Sequence, residues 1–411
     1  MEALDSLIDP TWYLLLLPVA AASGWLAARR QVVNKVGNQK LPDAYFAGLN
    51  FLVNEQPDKA IEVFVKVLEV APETIEVHLA LGNLFRRRGE LERATTIHQN
   101  LLVKTRLNRE QHMLALYELG RDYYKAGWFD RAEGLFQELS EYNEHAATAC
   151  HYLQLIYERE REWRKADQAA RRLMKYTNED LQHVIAHYWC EIAEQSFEEQ
   201  DLTGIRQGIN RALATNQQSV RAIMLSAKMH FQSGEYRKAL RAWRRCGELA
   251  PELQSEIIAG VVECYRALHD PDTLAEYLQN LALHNSSGRV LSQVLEYLRE
   301  IRGGKAAEMF LLRHLRQYNT AEGLWQLLQF RRSQGCDQDA PYSKFLGEFL
   351  QMVLRTDRVY ICQHCGFSSK RLNWQCPSCR YWDSMRPVQD PQIPEVAGIL
   401  ELLQVAGPSS E

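Results

Sequence analysis

A helical phrase recurs at a nearly fixed interval through the first 251 residues, and it constrains the fold more than any other feature. Gly48 is followed twelve residues later by Ala60, Gly82 by Ala94, and Gly120 by Ala132. Ala60 and Ala94 stand 34 residues apart, Ala94 and Ala132 stand 38 apart, and Ala132 and Ala166 again 34. A further in-phase copy runs from Ala227 through Gly234-Glu235-Tyr236 to Ala239 and closes at Pro251. Phe51, Phe85, Tyr123 and Tyr157 fill an aromatic slot in the first helix of each copy; Phe64, Phe136 and Trp243 fill a large slot in the second. Small residues at fixed places let two helices approach closely. Each copy is then a helix pair that must stack on its neighbours to bury a core.

The period, and the order glycine, aromatic, glycine, alanine, aromatic, resembles the tetratricopeptide repeat. About six usable copies lie between Leu41 and Pro251, one of them degenerate near Asp201 with Ile205 in the alanine slot. From Glu252 to Arg355 the helical spacing continues without the signature and reads as divergent repeats, with Gly303-Gly304-Lys305-Ala306-Ala307 as a turn opening a helix. A superhelical stack lines its concave wall mainly with first helices. Asn83 and Arg87 lie four apart on one of these, and Arg121 and Lys125 take the equivalent places on the next. They are the candidate partner-binding residues, a polar and basic strip suited to an acidic or carboxylate-bearing segment. The plainer reading of the same charges is ordinary solvated surface.

Near the C-terminus, Cys362 and Cys365, then Cys376 and Cys379, form two C-x-x-C pairs separated by ten residues. Two such turns facing each other make a tetrahedral sulfur cage for one zinc or iron ion. The stretch Tyr360 to Trp382 is too short to hold itself together by apolar burial. Metal must contribute, and structural zinc gives about 10–16 kcal/mol. His364 is expected to stay exposed, because four thiolates already complete the site. Arg380 stands where rubredoxin-type knuckles carry glycine. A left-handed turn there costs about 1–2 kcal/mol, so the second knuckle is expected to be less regular than the first. A closed four-sulfur site leaves no open position for a substrate and favours a structural role; iron would leave one-electron transfer open. Two disulfides in a secreted module are the alternative. The other five cysteines, Cys150, Cys190, Cys246, Cys264 and Cys336, are scattered singly, as buried free thiols are in a reducing compartment.

Pro10 to Ala28 carries no charge. As a helix it reaches roughly 28 Å, enough for a bilayer core. Glu2, Asp5 and Asp9 precede it, while Arg29, Arg30, Lys35 and Lys40 follow it. Positive flanks stay in the cytoplasm, so the expectation is an uncleaved single-pass anchor with the N-terminus outside and the bulk of the chain inside. The net charge of −4 argues against nucleic acid as the main partner. No metalloprotease, serine-hydrolase or phosphate-loop motif is present, so no catalytic residue is nominated and an enzyme is not expected. The expected class is mainly α: anchor 1–30, linker 31–42, repeat solenoid 43–355, rubredoxin-like or zinc-ribbon module 356–387, and tail 388–411. Within the tail, Val396, Ile399, Leu400 and Leu403 share one helical face.

These parts, in this order, resemble the lipopolysaccharide assembly protein B family of Gram-negative bacteria. The resemblance rests on Leu14 to Arg30, Leu81 to Glu90, Leu119 to Glu133 and Cys362 to Trp382. It implies an inner-membrane adaptor that restrains lipopolysaccharide synthesis. Such an adaptor promotes degradation of the deacetylase that commits carbon to lipid A by a membrane-bound AAA+ protease. It also associates with lipopolysaccharide assembly and sensing proteins, and homo-oligomerisation stays open. The family's metal module matches Cys362, Cys365, Cys376 and Cys379 residue for residue. Two rival readings are a rubredoxin-like electron carrier and an assembly scaffold with no proteolytic role.

Overall fold

The computed structural model describes residues 43–70, 74–104, 107–318, 320–333, 341–354 and 359–388. The expected anchor, Pro10 to Ala28, and the tail after Val388 lie outside them, as does Cys336. Among the described residues no helix is long and apolar enough to cross a membrane. Among the described residues eighteen α-helices run in succession, followed by a small three-stranded sheet.

The chain divides into two compact units, up to Ile156 and from Tyr157 onward. The first contains α1 (Asp43–Val53), α2 (Pro57–Val70), α3 (Ile75–Arg88), α4 (Leu91–Lys104), α5 (Arg109–Ala126) and α6 (Phe129–Leu139). Helix α7 (Asn143–Glu160) crosses the boundary. The second unit continues with α8 (Trp163–Tyr176), α9 (Gln182–Glu198), α10 (Leu202–Thr215), α11 (Val220–Gln232), α12 (Tyr236–Leu249), α13 (Gln254–Ala267), α14 (Pro271–Leu283), α15 (Gly288–Arg302), α16 (Gly304–Gln317), α17 (Ala321–Ser333) and α18 (Pro341–Leu354). The helices fall into pairs, six before Pro251 and three after it. The fading of the signature beyond Glu252 therefore marks a change of sequence and not of architecture.

The repeated small residues do what their spacing implies. Ala60, Ala94, Ala132, Ala166 and Ala239 are wholly buried, and Ile205 is buried in the same slot. A Cβ on Gly48 would stand 2.4 Å from the Phe64 ring, and one on Gly120 would stand 2.8 Å from the Phe136 ring. The same offset of sixteen residues brings His98 against Gly82, at 2.4 Å. The large slot of that repeat thus holds a histidine in place of the phenylalanine or tryptophan of its neighbours. Trp243 fills the slot in its own repeat and packs on Gly260 of the following first helix, where a Cβ would meet it at 2.3 Å.

The turn inside each of the first seven pairs takes one left-handed residue. Gly89, Gly127 and Gly234 supply it cheaply, whereas Glu55, Arg161, Gln200 and His269 adopt it with φ of 54–59°. For these four the strain is about 1–2 kcal/mol each, held in place by the packing of the helices on either side. In the second unit the first helices form a layer of their own: α9 packs on α11, α11 on α13, α13 on α15 and α15 on α17. Cys190 and Cys246 are buried free thiols whose pKa burial pushes up to about 12, and Cys264 likewise to about 11. They are protonated and unreactive at neutral pH.

Candidate metal centre and its seat on the helices

Strands β1 (Tyr360–Cys362), β2 (Ser368–Ser369) and β3 (Met385–Pro387) form an antiparallel sheet in the order β2-β1-β3. Two knuckles project from it with the same hydrogen bonding at an offset of fourteen residues. In the first, the Gly366 amide donates to the Cys362 carbonyl at 2.9 Å, and the Cys362 amide to Phe367 at 2.8 Å. In the second, the Arg380 amide donates to Cys376 at 2.9 Å, and the Cys376 amide to Tyr381 at 2.9 Å. The expectation of a less regular second knuckle is therefore corrected. Arg380 takes the left-handed turn with φ 62°, beside 76° at Gly366. Its side chain offsets the strain, since Nη2 donates to the Glu158 carbonyl at 3.0 Å.

The four sulfurs converge. Cys362 Sγ lies 3.6 Å from Cys379 Sγ, Cys365 Sγ lies 3.7 Å from Cys376 Sγ, and all four lie within 4.8 Å of one another. A tetrahedral ion with ~2.3 Å bonds to sulfur needs sulfur–sulfur edges of about 3.8 Å, so the cage fits one such ion. The cysteines are free and pair in no disulfide. Burial works to raise the Cys362 thiol, but its hydrogen bonds with Ser384 and with the Cys365 and His364 amides outweigh it and bring the pKa down to about 6. Cys379 moves the other way, to about 12, through burial and the neighbouring sulfurs. His364 is exposed and stacks on the Tyr381 ring, with centroids 3.8 Å apart.

Residues 360–387 match the family model described as a rubredoxin metal binding domain, and residues 77–111 match a tetratricopeptide repeat. Lipopolysaccharide assembly protein B of Escherichia coli strain K12 is 34% identical over 378 residues, covering 91% of this chain and 97% of that protein. The chain belongs to the lipopolysaccharide assembly protein B family. The Haemophilus influenzae protein of the same name is 32% identical over 391 residues, covering 92% and 98%. This lipopolysaccharide assembly protein B relative is thus a mainly helical tetratricopeptide-repeat chain that ends in a module for one metal ion.

The module is seated on the second unit. Trp382 stacks on His187 of α9 at 4.9 Å and meets Trp163 and Tyr188 edge-on at 6.2 and 5.9 Å. His187 Nε2 lies 2.8 Å from Asp383 Oδ2. Burial works to raise the Asp383 carboxyl, and the His187 hydrogen bond and charge hold it below the usual carboxylate range. Glu158, 4% exposed at the end of α7, accepts from Tyr188 Oη, from Gln375 Nε2 at 2.9 Å and from Trp382 Nε1 at 3.4 Å. Arg221 of α11 lies 5.9 Å over the Trp374 ring. Tyr360 Oη donates to Glu256 of α13 and accepts from Arg289 Nη1 of α15 at 3.2 Å. Five consecutive first helices, α7, α9, α11, α13 and α15, therefore bear on one module. Tyr360, Cys362, Cys376 and Met385 join the same apolar core as α11 to α16.

The four candidate partner-binding residues fare differently. Arg87 and Lys125 are exposed. Asn83 accepts from Arg86 Nη2, and Arg121 binds Glu118 Oε2 at 3.2 Å and covers the Tyr117 ring at 5.2 Å. Beneath them runs a buried network that the sequence did not announce. Arg86 bridges Glu118 and Asp122, at 2.7 Å for the latter, and Asp122 also reaches His98 Nδ1 at 2.5 Å. Arg121 is thus tied to an internal carboxylate and Asn83 to the Arg86 guanidinium, and Arg87 and Lys125 are the ones presented to solvent.

Proposed function

We propose that the chain is a membrane-anchored adaptor in the control of lipopolysaccharide assembly and performs no bond chemistry. In this reading residues 10–28 pin it to the bacterial inner membrane with the N-terminus in the periplasm. The repeats hold the lipid A pathway deacetylase as client and bring it to a membrane AAA+ protease. Assembly and sensing proteins of the lipopolysaccharide pathway contact the same body. The observation that carries the reading is the closed metal module seated across the helices. Its four sulfurs complete a coordination sphere and its aromatic residues go into packing, as befits a part that stiffens a protein-binding scaffold. Family membership over nearly the whole chain supports the pathway, since the relatives are named for lipopolysaccharide assembly.

Tethering acts by effective concentration. The test is a chain of residues 31–411, expressed at native level in cells lacking the full protein. It is expected to stay folded yet fail to restore normal deacetylase turnover. Normal turnover would refute the tether. Arg87→Glu with Lys125→Glu tests client capture by the exposed strip without touching the buried network, and unchanged capture would remove the strip from the contact.

A further inference from the structure

We infer that the apolar outer face of α18 is the seat of the chain's own C-terminal segment, residues 395–406. Helix α18 is the last helix among the described residues, and its inner face is spent: Leu346, Leu350 and Leu354 pack on Ala321, Leu324, Trp325 and Leu328 of α17. Its outer face carries Phe345, Phe349 and Met352, which are 70%, 45% and 68% exposed. Their spacing of four and three residues puts them on a single stripe. A terminal repeat ordinarily keeps a polar outer face for solubility. Three large apolar side chains in one row on such a helix call for a cover.

The sequence supplies one. Beyond Val388 the chain has 23 more residues, and Val396, Ile399, Leu400 and Leu403 make an apolar stripe of matching length. In the sequence Pro394 precedes this run and Gly407 follows it, residue types that favour starting and stopping a helix. The segment lies within reach. Val388 is hydrogen-bonded to the Val359 carbonyl at 2.9 Å, and Val359 follows the end of α18 by five residues. The eight residues from Val388 to Val396 span up to ~27 Å, which exceeds the ~17 Å that five residues allow between α18 and Val359. The charges also agree. After Arg386 the chain has Asp390, Glu395, Glu401 and Glu411 and no basic residue. The rim of the α18 stripe carries exposed Lys344 beside Glu348, and Arg332 of α17 packs against Gly347.

The test places a photoreactive benzophenone side chain at Met352 of the full-length protein in native membranes. Irradiation is expected to give an intramolecular cross-link to the peptide containing residues 395–406. Leu400→Asp, which alters nothing among the described residues, is expected to reduce that product at least tenfold while the cysteine module keeps its metal. Cross-links to a second copy, to lipid or to another protein in place of the tail would overturn the inference. So would a tail product indifferent to Leu400→Asp, or no product at all.

Discussion

Replacing Glu158 with alanine tests whether one buried carboxylate holds the metal module to the helices. The substitution leaves Tyr188 Oη, Gln375 Nε2 and Trp382 Nε1 without the acceptor they share. A buried donor left unmet costs about 1–3 kcal/mol. The Trp382 bond, at 3.4 Å, belongs at the low end. Relief from burying a carboxylate returns part of the sum, which leaves about 2–4 kcal/mol lost from seating. The Cys362, Cys365, Cys376 and Cys379 cage is untouched, so metal content should not change. Hydrogen exchange of the backbone amides in Tyr360–Cys362 and in Met385–Arg386 reads the loss directly. At a factor of ten per 1.4 kcal/mol, exchange should quicken roughly 30- to 700-fold. Glu158→Gln keeps an acceptor for Tyr188 and Trp382, and the Gln375 amide can turn end for end to meet it. That variant should exchange within a few-fold of the parent. Equal behaviour of the two variants, or exchange unchanged in Glu158→Ala, would refute the assignment of Glu158 as the anchor point.

Three further outcomes follow from other sites. His314 is fully buried and desolvation brings its pKa down to about 4. The unfolded chain binds that proton from pH ~6.5 downward, so the contribution is complete above pH 6.5 and drains as pH falls toward 4; the loss amounts to about 3 kcal/mol, and urea titrations of His314→Gln across that window should show a flatter profile. Arg86→Met strands Glu118 and Asp122 without their buried cation and should cost about 3–5 kcal/mol, read by chemical denaturation; a change below about 1 kcal/mol would mean the network is solvated. Chelating the metal should loosen both knuckles and expose Trp382 to quenchers, and fluorescence unchanged on metal loss would separate seating from coordination.

The sequence carried the helix pairs clearly, because a fixed spacing of small residues leaves a mark whatever the rest of the repeat contains. The cysteine cage was legible for a related reason: four sulfurs must be cysteine, and their spacing is set by the knuckle. The seat of the module left no such mark. Glu158 follows an aromatic slot and reads as one more surface acid, and His187 sits inside an ordinary helix. Their roles come from partners about 200 residues away, including Asp383 and Gln375. His98 was within reach of the sequence, since it stands sixteen residues after Gly82 as Phe64 does after Gly48. The left-handed turns were only half legible, because four of them use residues other than glycine and borrow their strain energy from neighbouring packing. At Arg380 the expectation failed for a similar reason. A turn that looks unfavourable in isolation is compensated by a contact the local sequence does not contain.

Arrays of stacked helix pairs usually tolerate the gain or loss of a unit, because each pair touches only the next. A module that clasps α9, α11, α13 and α15 together removes that freedom from Gln182 to Arg302. Deleting one pair there would shift Glu256 and Arg289 by a full step relative to His187, and a single rigid domain could not reach both ends. That stretch is bound to inherit length changes elsewhere, and to melt as one piece instead of peeling from its end.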